Sequence, residues 1–264
     1  MVLFLFLTHL GLGIVFTLVF VSREAGVKFF RFNAGLAAVL IGVGFALYPS
    51  DAAATGAARV ALAALGVAGA ATAVYWATVG RSLASIRPAL VSTAVVAGLV
   101  AIVGQAIDVV AGRPVTLHAM TIASFLSSAA LLGGACTAMI LGHWYLVIPS
   151  LPASHLQSIV KLHMASMVVR VAVVIAATVF AIATWEPGLG PSFRHYITSA
   201  AGIFFWQRVL FGLVGPALLS YLTWETAKIR STQSATGILY VDFFAVVVGE
   251  VLAKYILLST RVPV

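Results

Sequence analysis

Arg170 and Arg208 each lie within a long apolar stretch of a chain that carries few charges. Glu250 and Lys254 lie four residues apart in a third such stretch, so one helical face carries both. A charged side chain in the middle of a bilayer costs several kcal/mol, about 2.5–3.5 kcal/mol on insertion scales, unless a partner holds it. By default such residues mark a working site, and they are the strongest functional lead in the sequence.

These charges need partners of opposite sign on neighbouring helices. Glu250 and Asp242 are the candidate acceptors for the two arginines, and Lys254 can pair with Glu250 or extend toward the membrane surface. One interpretation is a structural charge network of Arg170, Arg208, Asp242, Glu250 and Lys254 that clamps three helices together. The other is a polar cavity for a quinone headgroup or for protons. The clamp is the favoured interpretation.

A second group of polar side chains, His9, Gln105, Asp108 and His118, is predicted to lie toward the outer side of the membrane. A quinone carbonyl needs a hydrogen-bond donor, and its reduction needs a source of protons. A histidine together with a carboxylate suits both tasks. This group is therefore the predicted quinone-binding site, and quinone is the predicted cofactor.

His143 and His163 provide an alternative, because two imidazoles on different helices can hold haem b when they face each other at one depth. A short loop would make their helices antiparallel neighbours. The sequence GHWYLVIP around His143 is instead typical of the aromatic belt at a membrane interface. Haem b is thus the less favoured cofactor. We predict no other metal site, since no two histidines lie three or four residues apart on one helix.

Motifs of self-contained catalysis are missing from the sequence. It contains no HExxH, no GxSxG, no phosphate-binding P-loop and no dinucleotide fingerprint. The single cysteine, Cys136, excludes a disulfide within this sequence and any all-cysteine metal site. A chain of this kind is expected to transport a molecule, to bind a lipophilic one, to carry haem or to anchor partner proteins.

The composition determines the class of protein. Hydrophobic residues make up 62% of the chain and charged residues only 8%, whereas a soluble domain carries about 25% charged residues. Apolar runs of about 20 residues, the length that crosses about 30 Å of hydrocarbon, recur from end to end. The prediction is an all-α, polytopic bundle of transmembrane helices, with residues 1–264 forming a single integral membrane domain.

About eight spans are predicted, at 2–21, 34–49, 58–79, 89–110, 115–146, 160–184, 197–221 and 236–258. The odd-numbered loops contain eight Lys and Arg residues, and the even-numbered loops with the C-terminal tail contain four. By the positive-inside rule the odd-numbered loops are cytoplasmic, and both termini lie outside. Pro216 is predicted to kink the seventh span.

The same loops explain the net charge of +8. The sequence has no run of five like charges and no basic helix with interleaved aromatic residues, so nucleic-acid binding is not supported. The loop cations are expected to set the topology and to contact anionic lipid headgroups. Lipids are therefore expected partners, and nucleic acids are not.

The C-terminal third resembles a known family. The segments FGLVGPALLSY and GILYVDFFAVVVGEVLAKYI are similar to the last two helices of the NrfD-type membrane anchors of polysulfide and DMSO reductases. The matching positions are Gly212, Pro216, Gly249, Glu250, Lys254 and Tyr255. Lys254 replaces the family's more usual arginine, and the family's Trp-rich opening is missing. The resemblance implies a haem-free quinone-binding subunit that docks an iron–sulfur protein, and it would place His9 near the quinone.

These observations predict a quinone-interacting membrane subunit of a respiratory or electron-transfer complex. It would pass electrons between the membrane quinone pool and a partner iron–sulfur or cytochrome subunit, in a bacterial cytoplasmic membrane. The alternatives are a haem b anchor, a small-molecule or ion transporter, and a structural subunit. Charged helices favour the transporter, but the discontinuous, repeated half-helices of many transporters are not obvious.

Overall fold

A computed structural model describes residues 1–49, 55–82, 84–148, 150–185 and 192–264. These residues are mostly helical and include no β-strand. The α-helices among them are α1 (Val2–Leu18), α2 (Gly26–Ala46), α3 (Gly56–Thr78), α4 (Arg87–Val109), α5 (Val115–Val147), α6 (Ala153–Ala183), α7 (Phe193–Thr198), α8 (Ile203–Val209), α9 (Gly215–Lys228) and α10 (Thr232–Thr260). A π-helical turn, Leu210–Val214, joins α8 directly to α9. The predicted all-α class is confirmed.

Local sequence signals start several of these helices. Thr55 caps α3, because its hydroxyl accepts a hydrogen bond of 3.0 Å from the amide of Ala58. The hydroxyl of Ser192 caps α7 in the same way. Pro88 lies in the first turn of α4. Backbone amides in a first turn have no hydrogen-bond partner within the helix, so a proline there removes no helical hydrogen bond. α2 and α6 begin before the predicted span starts of 34 and 160, since a helix can continue through polar turns beyond the hydrocarbon.

Six helical segments of the described chain are long and apolar enough to cross a membrane: Arg23–Ala46, Gly56–Thr78, Ala84–Val109, Val115–Val147, Ala153–Ala183 and Ala200–Lys228. The protein is therefore an integral membrane protein. α1 has 17 residues and would extend about 26 Å, slightly less than the hydrocarbon core. α10, with three charged residues in its apolar sequence, is not among the six. The eight predicted spans and the outer location of both termini are not confirmed.

The helices pack as two groups that meet at α5. In the first group, α1, α2, α3 and α4 are successive neighbours, and α4 also contacts α1. In the second group, α5, α6, α9 and α10 are arranged in the same way, and α10 also contacts α5. α5 contacts α1 and α4 as well, and 83% of its most apolar window is buried, against 22–39% in the other five candidate spans. The centre of the protein therefore lies along α5.

Two helix crossings depend on pairs of glycines. A Cβ added to Gly13 on α1 or to Gly133 on α5 would overlap the backbone of the other helix. Gly212 in the π-helical turn and Gly249 on α10 approach each other equally closely. Small residues permit such approach, and helix association within a membrane relies on this close packing. The second crossing brings the chain around Arg208 next to Glu250.

A π-helical turn precedes Pro216, the residue predicted to kink the seventh span. Pro216 lies in the first turn of α9, directly after Leu210–Val214. Proline lacks the amide proton that would bond to residue 212, and its ring collides with that carbonyl. A π-helical turn widens the helix locally and relieves the collision. Such turns are frequent at functional sites, and this one follows Arg208 almost immediately.

Candidate functional site

The second helix group encloses a cluster of buried charges. The guanidinium of Arg170 on α6 donates to both carboxylate oxygens of Glu250 on α10, from Nε to Oε1 at 2.9 Å and from Nη2 to Oε2 at 3.2 Å. This two-point arrangement matches a planar guanidinium to a planar carboxylate. Both side chains are buried, with 1% and 0% exposed. The pair therefore connects α6 to α10 in a fixed geometry.

Two further cations contact the same carboxylate. Arg208 Nη2 lies 2.9 Å from Glu250 Oε1, and Lys254 Nζ lies 3.1 Å from Oε2. Both cations are buried. When all four groups are ionised, three positive charges face one negative charge, which leaves an excess of two. Desolvating each charge costs several kcal/mol, so the shared carboxylate and the hydrogen bonds around it are needed to keep these side chains charged in the core.

Serines on α5 complete the surroundings of these charges. Ser124 accepts from Arg170 Nη1 through its hydroxyl at 2.8 Å and through its carbonyl at 3.2 Å. Ser128 donates to Glu250 Oε2 at 2.5 Å and also contacts Lys254 Nζ. Neither serine was among the residues predicted from the sequence. Their spacing within SFLSS places them on one face of an otherwise apolar helix, and that pattern was the available signal.

Val264 is a further partner of Arg170. Its main-chain oxygen accepts from Nη2 at 3.2 Å, and the residue is 1% exposed. The chain reaches this position because Arg261, with a φ of 63°, ends α10 in the left-handed conformation. Every nitrogen of the Arg170 guanidinium thus has an acceptor, as a fully buried arginine requires.

Arg208 is less completely partnered. Its Nε and Nη1 atoms are buried and make no hydrogen bond within the described part of the chain. Nη1 packs against Gly212 and Gly249, where an added Cβ would press against it. The glycine pair therefore provides the space for this guanidinium.

Asp242 does not join the cluster. Its Oδ2 lies 2.7 Å from Nε2 of His163 on α6, and both side chains are fully buried. Neither side chain completes a hydrogen bond of regular geometry. Asp242 lies eight residues before Glu250, which is about 12 Å along the helix. Of the five residues assigned to one charge network, four thus form the cluster, and Asp242 pairs with His163 instead.

His143 and His163, the alternative haem ligands, do not face each other. Nδ1 of His143 lies 2.9 Å from the hydroxyl of Tyr240. His163 lies beside Gly134, where an added Cβ would be 3.4 Å from the His163 Cα. Gly134 and His143 are nine residues apart, or about 13 Å along α5. The two imidazoles therefore lie at different depths, whereas axial ligands of one haem share a depth.

His9 and Gln105 lie in the core with unpartnered polar atoms. Both ring nitrogens of His9 and both amide atoms of Gln105 are buried and make no hydrogen bond of regular geometry to the described chain. The two side chains are nevertheless within reach of each other, and the His9 ring packs edge-on against Phe125, with centroids 4.6 Å apart. The cavity beside Gln105 has a volume of only about 10 Å³. It can hold about one water molecule and no quinone ring.

Asp108 and His118 are near the same end of the bundle but in separate surroundings. Oδ1 of Asp108 accepts a hydrogen bond of 2.6 Å from the hydroxyl of Thr55. Nδ1 of His118 lies 3.0 Å from the carbonyl oxygen of Pro114, at the start of its own helix. Among the described residues, no hydrogen bond or ring contact joins His118 to the rest of the predicted quinone site. The structure does not gather those four residues into one site.

A larger cavity, of about 490 Å³, lies between the start of α5, the end of α6, α7 and the end of α10. This volume is within the range of pockets for small organic molecules, about 300–1,000 Å³. The lining includes Met120, Phe180, Phe193, Arg113 and Arg261. The described lining residues include no carboxylate. The cavity is therefore mainly apolar and aromatic, with a positive charge balance.

The cavity adjoins the charge cluster through two elements. Met120 lines the cavity, and Ser124, one turn further along α5, binds Arg170. Residues 262 and 263 also line the cavity, and the next residue, Val264, binds the same guanidinium. Residues 262–264 therefore lie between the cavity and Arg170.

Tyr196 on α7 supplies a polar group to this cavity. Its hydroxyl is buried and makes no hydrogen bond within the described part of the chain. α7 lies outside the candidate membrane spans. Burial, assisted by the neighbouring Tyr255, raises the pKa of the Tyr196 hydroxyl. This hydroxyl therefore stays protonated at neutral pH and can donate to a ligand.

The fold and this site define a polytopic helical membrane protein with a positively charged centre beside an aromatic cavity. No protein-family model, no curated protein and no solved structure matches the chain. The similarity of the C-terminal third to NrfD-type anchors thus stays a prediction. Within the described residues, no group of three or more His, Cys, Asp or Glu side chains could hold a metal ion.

Proposed function

We propose that the protein is a quinone-interacting integral membrane subunit of an electron-transfer complex. The quinone headgroup occupies the cavity of about 490 Å³ beside α7. A partner iron–sulfur or cytochrome subunit exchanges electrons with the bound quinone. The observation that carries this proposal is the set of three buried cations that share one carboxylate next to an aromatic-lined cavity.

The positive charges support the proposal because a quinone gains negative charge when it accepts electrons before protons. Preorganised cations near the ring stabilise the semiquinone and quinolate anions. Arg170, Arg208 and Lys254 outnumber Glu250 in a water-poor centre. At an effective dielectric constant of about 20, one charge at about 12 Å contributes about 1.4 kcal/mol. An excess of positively charged side chains would therefore change the reduction energy of a nearby quinone appreciably.

The lining of the cavity supports the proposal in a second way. Phe180 and Phe193 provide flat apolar surfaces for a ring. The unpartnered hydroxyl of Tyr196 provides a donor for a carbonyl oxygen. A few polar groups within an apolar pocket are typical of cofactor sites. A lipid-soluble quinone would reach this site from the bilayer.

The proposal moves the quinone from the position expected from the sequence. His9 and Gln105 are enclosed in the core beside a cavity of about 10 Å³, so they are not in contact with the quinone in this proposal. In this proposal the protein has eight membrane spans, because α1 and α10 cross the membrane in addition to the six candidate spans. Both termini would then lie outside, as would the cavity at the start of α5 and the ends of α6 and α10. A bacterial cytoplasmic membrane is the proposed location.

Filling the cavity tests this function. Ala181 lines the cavity and Ala183, on the same helix, is exposed. Ala181→Trp should weaken the binding of decyl-ubiquinone to the purified protein at least tenfold, and Ala183→Trp should leave binding unchanged. Equilibrium dialysis in detergent measures both. Equal affinities in the two variants, or no saturable binding to the unaltered protein, would contradict the proposal.

The same positive charges favour a second candidate, the transport of a small organic anion. Arg113 and Arg261 at the cavity and the cluster beyond it would attract a carboxylate. Succinate uptake into proteoliposomes, together with an absence of quinone binding, would favour this second function. Quinone binding without uptake would favour the first.

A further inference from the structure

A groove of about 750 Å³ lies on the surface of the first helix group, between α2 and α3. Its apolar lining includes Phe32, Leu36, Val39 and Ala73. The most apolar windows of these two helices are only 33% and 28% buried, so most of their surface faces outward. In a protein that spans a membrane, such a surface meets the hydrocarbon of the bilayer. The groove is therefore open to lipid.

Two cations, Lys28 and Arg31, lie at one end of this groove. The described lining residues include no Asp or Glu. Among the described residues, no ion pair includes either cation. Glu24, a carboxylate nearby in the sequence, lies 2.7 Å from Nε2 of His155 instead. The positive charge at this end of the groove thus has no counter-charge within the described part of the chain.

Trp76 on α3 holds Arg31 at the groove. The guanidinium carbon of Arg31 lies 5.8 Å from the centroid of the Trp76 ring. The ring in turn lies against Gly35, where an added Cβ would be 2.8 Å from Nε1. Packing on a ring occupies the face of a guanidinium and leaves the N–H groups at its edge for an anionic oxygen. Tryptophan and arginine are also typical of the level of the lipid headgroups.

The length of the groove matches one leaflet of a bilayer. Lys28 and Val39, at its two ends on α2, are eleven residues apart, or about 16 Å along the helix. The whole hydrocarbon core is about 30 Å thick, so the groove reaches from the headgroups to about the midplane. A ligand of this shape has an anionic group at one end and an apolar tail that extends through one leaflet.

We propose that this groove binds one anionic phospholipid. The phosphate lies between Lys28 and Arg31, and an acyl chain lies along Phe32, Leu36 and Val39. Arginine binds phosphate through paired N–H groups, and lysine binds it as a point charge. A zwitterionic lipid carries its own cation and compensates the two side chains less well. In the proposed topology this end of α2 is cytoplasmic, and the cytoplasmic leaflet contains anionic lipids. The inference does not depend on the proposed quinone site.

Native mass spectrometry of the purified protein in detergent tests this site. One molecule of dioleoyl phosphatidylglycerol should bind at least tenfold more tightly than dioleoyl phosphatidylcholine. Combining Lys28→Gln with Arg31→Gln should weaken the binding of phosphatidylglycerol at least tenfold. Lys161→Gln combined with Lys228→Gln is the matched control, because those two cations also pack on a tryptophan, Trp224. The control should leave the affinity unchanged.

A second pair of variants fills the groove without a change of charge. Ala73→Trp should weaken the binding of phosphatidylglycerol, and Ala63→Trp, at an exposed position ten residues earlier on α3, should not. The comparison of the two lipids on the unaltered protein does not depend on the folding of any variant. Equal affinities for the two lipids, or equal losses in the two double variants, would overturn the proposal. Displacement of phosphatidylglycerol by inorganic phosphate, or a dimer that forms where no lipid binds, would overturn it as well.

Discussion

Arg170 and Glu250 form a two-point ion pair, with Nε to Oε1 at 2.9 Å and Nη2 to Oε2 at 3.2 Å. The pair lies where α5, α6 and α10 meet, and both side chains are buried. Glu250 is also the only carboxylate that the structure shows in contact with Arg208 and Lys254 among the described residues. One acidic side chain therefore holds three cations, and the stability of the second helix group depends on it.

Replacing Glu250 with glutamine should destabilise the protein strongly. Glu250→Gln keeps the shape but leaves three buried cations without a counter-charge, and breaking a buried pair costs about 3–5 kcal/mol. Thermal unfolding in detergent should show a large loss of stability. Glu225→Gln is the matched control, because Glu225 pairs with Lys228 on the surface and such pairs contribute about 0–1 kcal/mol. Similar losses in the two variants would contradict the role of Glu250.

The space that Gly212 leaves for Arg208 gives a second prediction. A Cβ in Gly212→Ala would press against Arg208 Nη1 and the backbone of Gly249. Overpacking of this kind costs about 1–3 kcal/mol. Gly66→Ala, at a helical position with open space around it, should be neutral or gain up to about 1 kcal/mol. Thermal unfolding of both variants checks this. Unchanged stability in Gly212→Ala would show that the helix crossing is loosely packed.

The class of this protein could be predicted from the sequence, because apolar length and composition are local properties of the chain. The importance of the four charged residues in the cluster could be recognised for the same reason, since each interrupts an apolar run. The partners of these charged residues could not be predicted from the sequence. Asp242 and Glu250 both lie on α10, and only the helix packing decides that Glu250 meets the arginines and Asp242 meets His163.

The cavity was not predictable either, because it is formed by distant parts of the chain. Its wall combines α5, α6, α7 and residues 262 and 263. The hydrogen bond from Arg170 to the main-chain oxygen of Val264 joins residues 94 positions apart, and a main-chain acceptor has no sequence signature. His9 was expected near a ligand, but its enclosure beside Phe125 depends on the crossing of α1 and α5.

The positions of His143 and His163 predict that the purified protein contains no haem b. His163 packs beside Gly134, which lies about 13 Å along α5 from His143. Tyr240 already contacts His143, and Asp242 already contacts His163. A reduced-minus-oxidised spectrum should show no α-band. A band that disappears in His163→Ala but persists in His155→Ala, at the partly exposed histidine eight residues earlier, would restore the haem alternative.

Removing one cation of the cluster should shift the potential of the bound quinone. Lys254→Met keeps an apolar stem and removes a positive charge that would favour reduction. For a separation of about 12 Å and a dielectric constant of about 20, the loss is about 1.4 kcal/mol, or about 60 mV for one electron. Redox titration should show a lower midpoint potential, while Lys228→Met, on the exposed end of α9, should leave the potential unchanged. If the midpoint potential is the same in both variants, the charge cluster does not influence the quinone.

The most direct test of the quinone assignment is photo-crosslinking with an azido-quinone followed by peptide mapping. We expect saturable labelling of the cavity wall, at residues 117–120 of α5, 177–181 of α6 or Tyr196 of α7, and competition by unlabelled decyl-ubiquinone. Labelling confined to the surroundings of His9 and Gln105, or labelling that decyl-ubiquinone does not reduce, would contradict it.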